Sequence, residues 1–242
     1  MLAIIGGSGL DDFEGLTILG RKNVSTPYGE PASDLIFGEL NHSPVIFLPR
    51  HGSNHQLAPH EINYRANLWA LQKEGVTKII AVNAVGGIHP DMGPEVLVVP
   101  HQVIDYTYGR EHTYSCAEGF PLLHVDFTHP YTDSLRMNLL KAAEALNFAC
   151  VNHGVYGATQ GPRLETAAEI LRLKNDGCDI VGMTGMPEAS LARELGIPYA
   201  QICLVVNWCA GLSDELITME AIVEVLKGGM GRVRQIIAAV ER

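Results

Sequence analysis

Asp179-Ile180-Val181-Gly182-Met183-Thr184-Gly185-Met186-Pro187-Glu188-Ala189-Ser190-Leu191-Ala192-Arg193-Glu194-Leu195-Gly196-Ile197-Pro198-Tyr199-Ala200-Gln201-Ile202-Cys203-Leu204-Val205-Val206 is the stretch that decides the fold class. Its first part, Asp179–Met183, reads as a short buried strand. Pro187 and Gly196 bracket a helix over Pro187–Leu195 as its start and stop. Tyr199–Val206 is a run of apolar and β-branched residues of strand length. Strand, helix and strand in immediate succession point to a central sheet with helices packed on it.

The same alternation extends outward in both directions. Further strands are expected at Leu2–Ile5, Val45–Leu48, Lys78–Val82, Val96–Val99 and Cys150–Tyr156. Helices are expected at Glu61–Glu74, Ser134–Leu146, Glu165–Asp176 and Thr218–Val240. In the last of these Ile222, Val225, Leu226, Val233, Ile236, Ile237 and Val240 recur at helical spacing. Gly228, Gly229 and Gly231 weaken its middle, which fits either two helices or one bent helix. With no repeat, low-complexity tract or linker, residues 1–242 are expected to form a single α/β domain with a central mixed β-sheet flanked by helices. The stretch from His101 to Pro130 lacks periodicity and is crowded with His, Tyr and Gly. It is too long for an idle connection and reads as a functional or interface loop.

The chain has 242 residues, 47% hydrophobic and 18% charged, enough apolar material for a sizeable core. A formal net charge of -10 argues against a nucleic-acid or anionic-membrane surface, which needs a cationic footprint. It leaves room for a local anion site, where a few donors act at contact distance. The five cysteines are scattered without CxxC spacing, so reduced, mostly buried thiols in a cytoplasmic protein are expected. MLAIIGGSGL lacks a basic leader region and reads as a first strand rather than a signal peptide. No apolar run has the length of a membrane span.

Candidate anion-binding groups lie at the ends of the expected strands. Gly6-Gly7-Ser8-Gly9 follows the first, where glycines let backbone N–H groups close on an anion and Ser8 adds a hydroxyl donor. A plain tight turn explains that segment equally well. Arg50 and His51 follow Val45–Leu48 and offer a forked guanidinium and an imidazole to one phosphate; an ordinary surface ion pair is the competing explanation for Arg50. His51, His55 and His60 are broken up by Gly52, Asn54 and Pro59, so no metal site is expected. Asn83-Ala84-Val85-Gly86-Gly87 ends another strand in small residues. Thr184 sits between a strand end and a helix start, an arrangement that favours anions.

Taken in order, Gly6-Gly7-Ser8-Gly9, Arg50-His51-Gly52, Ile62-Asn63-Tyr64-Arg65-Ala66-Asn67, Gln160-Gly161-Pro162-Arg163-Leu164-Glu165-Thr166 and Gly182-Met183-Thr184-Gly185-Met186-Pro187-Glu188 resemble the trimeric purine nucleoside phosphorylases. The resemblance is to the branch acting on methylthioadenosine and methylthioinosine, and it covers nearly the whole chain. It implies that Ser8, Arg50, His51, Asn83, Ala84 and Thr184 hold phosphate and that Met183 packs beneath the ribose. Glu165 and Asn207 fall at the purine-facing positions, and Arg50, His51 and Asn207 at those that carry the chemistry. Adenine-preferring relatives carry aspartates where this chain has Asn207 and Cys209, and a small hydroxyl residue in place of Glu165. His124 matches a position that the family supplies from a neighbouring subunit, which implies a homotrimer. No metal or organic cofactor is implied, inorganic phosphate being a co-substrate.

Hydrogen-bond chemistry gives the Glu165/Asn207 pair a meaning. A 6-oxopurine presents an N1–H donor and an O6 acceptor, whereas adenine presents an N1 acceptor and a 6-amino donor. An ionised carboxylate only accepts, so Glu165 matches N1–H and opposes adenine N1. The Asn207 amide donates to O6, and its oxygen accepts a proton shared with N7. Where inosine-cleaving relatives meet the 5′-hydroxyl with a His, this chain has Met219, with Ile222 and Val223 beside it. A thioether suits a methylthio group better than a hydroxyl, although plain helix packing also accounts for Met219. The expectation is therefore phosphorolysis of S-methyl-5′-thioinosine in purine salvage. Methylthioadenosine and general inosine/guanosine phosphorylases are the rival enzymes, and a non-catalytic nucleoside-binding protein the rival of another class.

Overall fold

The computed structural model describes residues 1–7, 13, 15–115 and 119–240. Its centre is four parallel strands in the order β4 (Ser43–Pro49), β1 (Leu2–Gly6), β5 (Lys78–Gly87) and β11 (Tyr199–Trp208). Parallel strands covered on both faces read as continuous apolar runs, which is why these four were visible in the sequence. Side chains alternate between the faces with period two. Ala3, Ile5, Ile46, Leu48, Ile79 and Ala81 join one buried cluster with residues of α1 (Tyr64–Lys73) and α4 (Gly185–Glu194). Leu2, Ile4, Val45, Phe47, Ile80 and Val82 join a second with α2 (Asp133–Ala145) and α5 (Met219–Ala239). Helices thus cover both faces.

The sheet is mixed. β3 (Leu35–Leu40) pairs antiparallel with β4, and β2 (Thr17–Lys22) pairs antiparallel with β3 to extend that side. Beyond β5 lie β10 (Ile180–Gly182), β9 (Val155–Ala158) and β7 (Gln102–Asp105). β6 (Leu97–Val98) pairs with β11 and with β8 (Cys150–Val151). β10 is antiparallel to β5 whereas β11 is parallel to it, so the strand–helix–strand unit of residues 179–206 is not a simple parallel crossover.

Differences from the sequence expectations have local causes. Cys150–Tyr156 divides into β8 and β9, with Gly154 at φ +137° between them. α1 starts at Tyr64, after Asn63 accepts from the Ala66 N–H. α5 is one continuous helix. Its Gly229 packs on β11, where a Cβ would fall 2.4 Å from Leu204 Cδ2, so that glycine lets helix and sheet approach closely. Within α4, Met186 keeps extended dihedrals (φ -123°, ψ 141°), as a residue before proline favours, and regular turns begin at Pro187. The described residues of 106–132 contain no helix or strand.

Candidate functional site

The parallel strands β4, β1, β5 and β11 bring their C-terminal ends to one edge of the sheet, the usual place for a ligand in such folds. A cavity of about 410 Å³ opens there, within the size range of small-molecule sites. It is lined by Gly7, Arg50, His51, Asn83, Ala84, Glu165, Met183, Thr184, Asn207 and Met219 together with a set of apolar side chains. Ten residues expected from the sequence therefore share one cavity. Ser8 lies outside the described residues. His124 is exposed and does not line its own chain's cavity.

At one end the polar groups are buried. Arg50, fully buried after β4, donates from Nε and Nη2 to the two carboxylate oxygens of Glu188 in α4, at 2.7 and 2.8 Å. Nη1 donates to the Val82 carbonyl at 3.1 Å. A guanidinium has five N–H groups, so donors remain for a ligand. Burial works against the Arg50 charge, but the Glu188 carboxylate outweighs it and holds the guanidinium more firmly protonated than usual. Tyr199 donates its hydroxyl to the same carboxylate at 2.8 Å and accepts from Gln201. Gly7 leaves room for this pair, since a Cβ there would meet Val82 O at 2.7 Å and Arg50 Nη1 at 2.9 Å.

His51 is bonded through Nδ1 to the Leu57 carbonyl at 2.8 Å, so its neutral form carries the lone pair on Nε2. Its ring stacks on His55, with centroids 4.4 Å apart. Thr184 Oγ1 donates to Asn83 Oδ1 at 2.9 Å, and Asn83 Nδ2 has no partner among the described residues. The backbone N–H groups of Thr184 and Gly185 meet the buried Tyr156 hydroxyl at 3.4 and 3.3 Å. The hydroxyl satisfies donors that a helix start otherwise leaves open.

At the other end β11 carries a bulge. Val205 pairs with Val85, but Asn207, not Val206, pairs with Gly86. The extra residue re-aims the strand, and Asn207 lines the cavity with its Nδ2 held by the Trp208 carbonyl at 2.8 Å. Cys209 Sγ lies against Gly86. Burial, and then the Glu165 carboxylate, push the Cys209 thiol up, keeping it neutral. Glu165 accepts from Thr159 Oγ1 at 2.6 Å. It does not lie in the first turn of α3 (Ala167–Asn175); Thr166 is the N-cap and Glu169 completes a capping box. Helix-end stabilisation therefore falls to Glu169, and Glu165 is left for the cavity.

The remaining wall is apolar. Met219 opens α5 and is 64% exposed, with Ile217, Ile222, Val223 and Leu226 beside it. Sequence reasoning missed Ile217, Leu226, His55 and the Arg50 partner Glu188, which lies 138 positions from Arg50. Glu188 follows Pro187 directly, so its place in the first turn of a helix was the one available signal. Among the described residues no group of His, Cys, Asp or Glu side chains forms a metal site, and no helix is long and apolar enough to cross a membrane. The four described cysteines are free.

The sequence matches the family model described as the phosphorylase superfamily over residues 1–241. It is 52% identical over 238 residues to a probable S-methyl-5′-thioinosine phosphorylase of Pseudomonas syringae pv. tomato, covering 98% of this chain and 97% of that protein. It is 43% identical to a 6-oxopurine nucleoside phosphorylase of Pyrococcus furiosus, covering 99% and 91%. Its fold superposes on methylthioadenosine phosphorylase from Schistosoma mansoni in complex with adenine, with a TM-score of 0.95 and 34% identity over 99% of this chain and 90% of that one.

Proposed function

The chain belongs to the phosphorylase superfamily, and from that premise we propose that it cleaves S-methyl-5′-thioinosine with inorganic phosphate, giving hypoxanthine and 5-methylthioribose 1-phosphate. One observation carries the reading. A buried donor cluster (Arg50, Thr184, Asn83) and a carboxylate–amide pair (Glu165, Asn207) line the same cavity. The first suits an oxyanion and the second a 6-oxopurine edge. The identity to the Pseudomonas relative supports the choice of nucleoside.

The reaction breaks C1′–N9, and its electron pair leaves with the purine. A phosphate oxygen, held by Arg50, His51, Ala84, Thr184 and Ser8, stabilises the cationic sugar and then bonds to C1′. Met183 packs beneath the ribose. Glu165 accepts N1–H, and Asn207 donates to O6 and stabilises the charge that builds toward N7, where the base takes up a proton. No protein nucleophile, metal or organic cofactor takes part. The enzyme works in the cytoplasm, in purine salvage, as a homotrimer in which His124 reaches the neighbouring subunit's site.

A second reading, a broader 6-oxopurine nucleoside phosphorylase, rests on the open position of Met219, which leaves the 5′ end loosely defined. Turnover of methylthioinosine, inosine and methylthioadenosine with and without phosphate separates the cases. Methylthioinosine is expected to be best and strictly phosphate-dependent. Preference for methylthioadenosine defeats the Glu165/Asn207 argument, and hypoxanthine release without phosphate defeats the reading altogether.

A further inference from the structure

We propose that Arg110 is a positioning residue that fixes the spacing between the two walls of the cavity, acting through them and touching neither substrate. The residue comes from the irregular 106–132 segment, is only 8% exposed, and does not line the cavity. Its guanidinium is placed where two segments of the site meet. Nη1 donates to the carbonyls of Met183 and Met186 at 2.8 and 2.7 Å, which bracket Thr184. Nη2 donates to the carbonyls of Gln160 and Thr159 at 2.9 and 3.2 Å, and Nε to Gln160 Oε1 at 3.1 Å. Thr159 in turn holds Glu165 through its hydroxyl. One rigid, planar group therefore ties the wall carrying Met183 and Thr184 to the wall carrying Glu165.

Chemistry separates this arrangement from an ordinary buried ion pair. Among the described residues Arg110 has no carboxylate partner; its acceptors are carbonyl and amide oxygens and the Tyr64 hydroxyl at 3.3 Å. The guanidinium also lies over the Tyr64 ring, 5.6 Å from its centroid. A forked donor can span two backbone segments at fixed separation, whereas a lysine ammonium presents its donors from a single nitrogen. Thr184 and Glu165 stand on these two neighbouring segments, so on the proposed reading the alignment of phosphate and purine over C1′ depends on their separation. Misplacement by about 1 Å can cost a hundredfold in rate. The long loop thus acquires a function at its start.

The inference rests on the phosphorolysis reading only for its assay. Arg110→Lys, Arg110→Met and Gln160→Ala are compared with wild type using phosphate and whichever nucleoside the wild type turns over best. For the Arg110 variants kcat per folded molecule is expected to fall at least about tenfold, while KM for phosphate changes less than about threefold, because Arg50 keeps its own partner, Glu188. Discrimination between 6-oxo and 6-amino nucleosides is expected to narrow, with lysine retaining more of both properties than methionine. Gln160→Ala, which removes the Oε1 acceptor shared by Arg110 Nε and the Tyr108 N–H, should lower kcat about threefold. Folded Arg110 variants with wild-type kcat and discrimination overturn the proposal. So does failure of both Arg110 variants to fold together with unchanged kinetics in Gln160→Ala, since Arg110 is then a fold element alone. A wild-type protein inactive on every nucleoside refutes the proposed function instead, and the variants' nucleoside affinities then decide on Arg110.

Discussion

The two ends of the cavity are built to different standards. At the end proposed to take phosphate, Arg50 and Glu188 are fully buried and bonded to each other, and Thr184 is tied to Asn83. At the end proposed to take the base and sugar, Glu165 has one side-chain tether, Asn207 is bonded to its own neighbour, and Met219 stands largely in solvent. A buried charge is tolerated only with a partner in good geometry, so the first end cannot be altered piecemeal. Partly exposed groups carry a smaller penalty for exchange. On the proposed reading, the chemistry of bond cleavage falls to the rigid half and the choice of nucleoside to the adaptable half.

Breaking the rigid half should produce the largest effect. Glu188→Ala leaves Arg50 buried without its carboxylate, at a cost of about 3–5 kcal/mol in stability. Chemical denaturation should show that loss, and steady-state kinetics a collapse in kcat/KM for phosphate. A phosphate response close to wild type would erase the contrast between the two ends. Asn207→Asp should come next, lowering methylthioinosine turnover by roughly a hundredfold through a mismatch at O6. Parallel assays with methylthioadenosine should show a smaller loss or a gain; equal losses on both would remove Asn207 from base selection.

Smaller effects sharpen the comparison. Thr159→Val leaves the Glu165 carboxylate without its 2.6 Å hydrogen bond. The expected rise in nucleoside KM is about fivefold, with KM for phosphate unchanged. Equal changes in the two KM values would show that the ends are coupled and not separable. Met219→His should be mildest, shifting the kcat/KM ratio of inosine to methylthioinosine upward by about three- to tenfold. Its melting temperature should stay near wild type because the side chain is exposed.

How much was legible in the sequence follows the same division between buried and exposed. β1, β4, β5 and β11 are continuous apolar runs, and five helices announced themselves through periodicity and caps. β2 has six exposed residues, Thr-Ile-Leu-Gly-Arg-Lys, with no alternation to reveal it. β3 is interrupted by Gly38, and β7 is short and only partly covered. In the site, side chains at strand ends were readable because strand ends converge by topology. Glu188, Tyr199 and Arg110 were not, because their roles come from partners 138, 11 and 76 positions away in the contacts that define them. Glu165 and Asn207 stood out as a pair only within the family resemblance.

The single additional residue in β11 has a consequence for how such a protein can diverge. Asn207 and Cys209 reach the cavity because the strand has slipped by one position against β5, ahead of both. New base preferences are therefore accessible by ordinary codon changes at those two places, with the sheet untouched. Losing one residue at Val206 would instead rotate both side chains out of the pocket together. Drift in this lineage is expected to exchange letters here while leaving the local chain length alone.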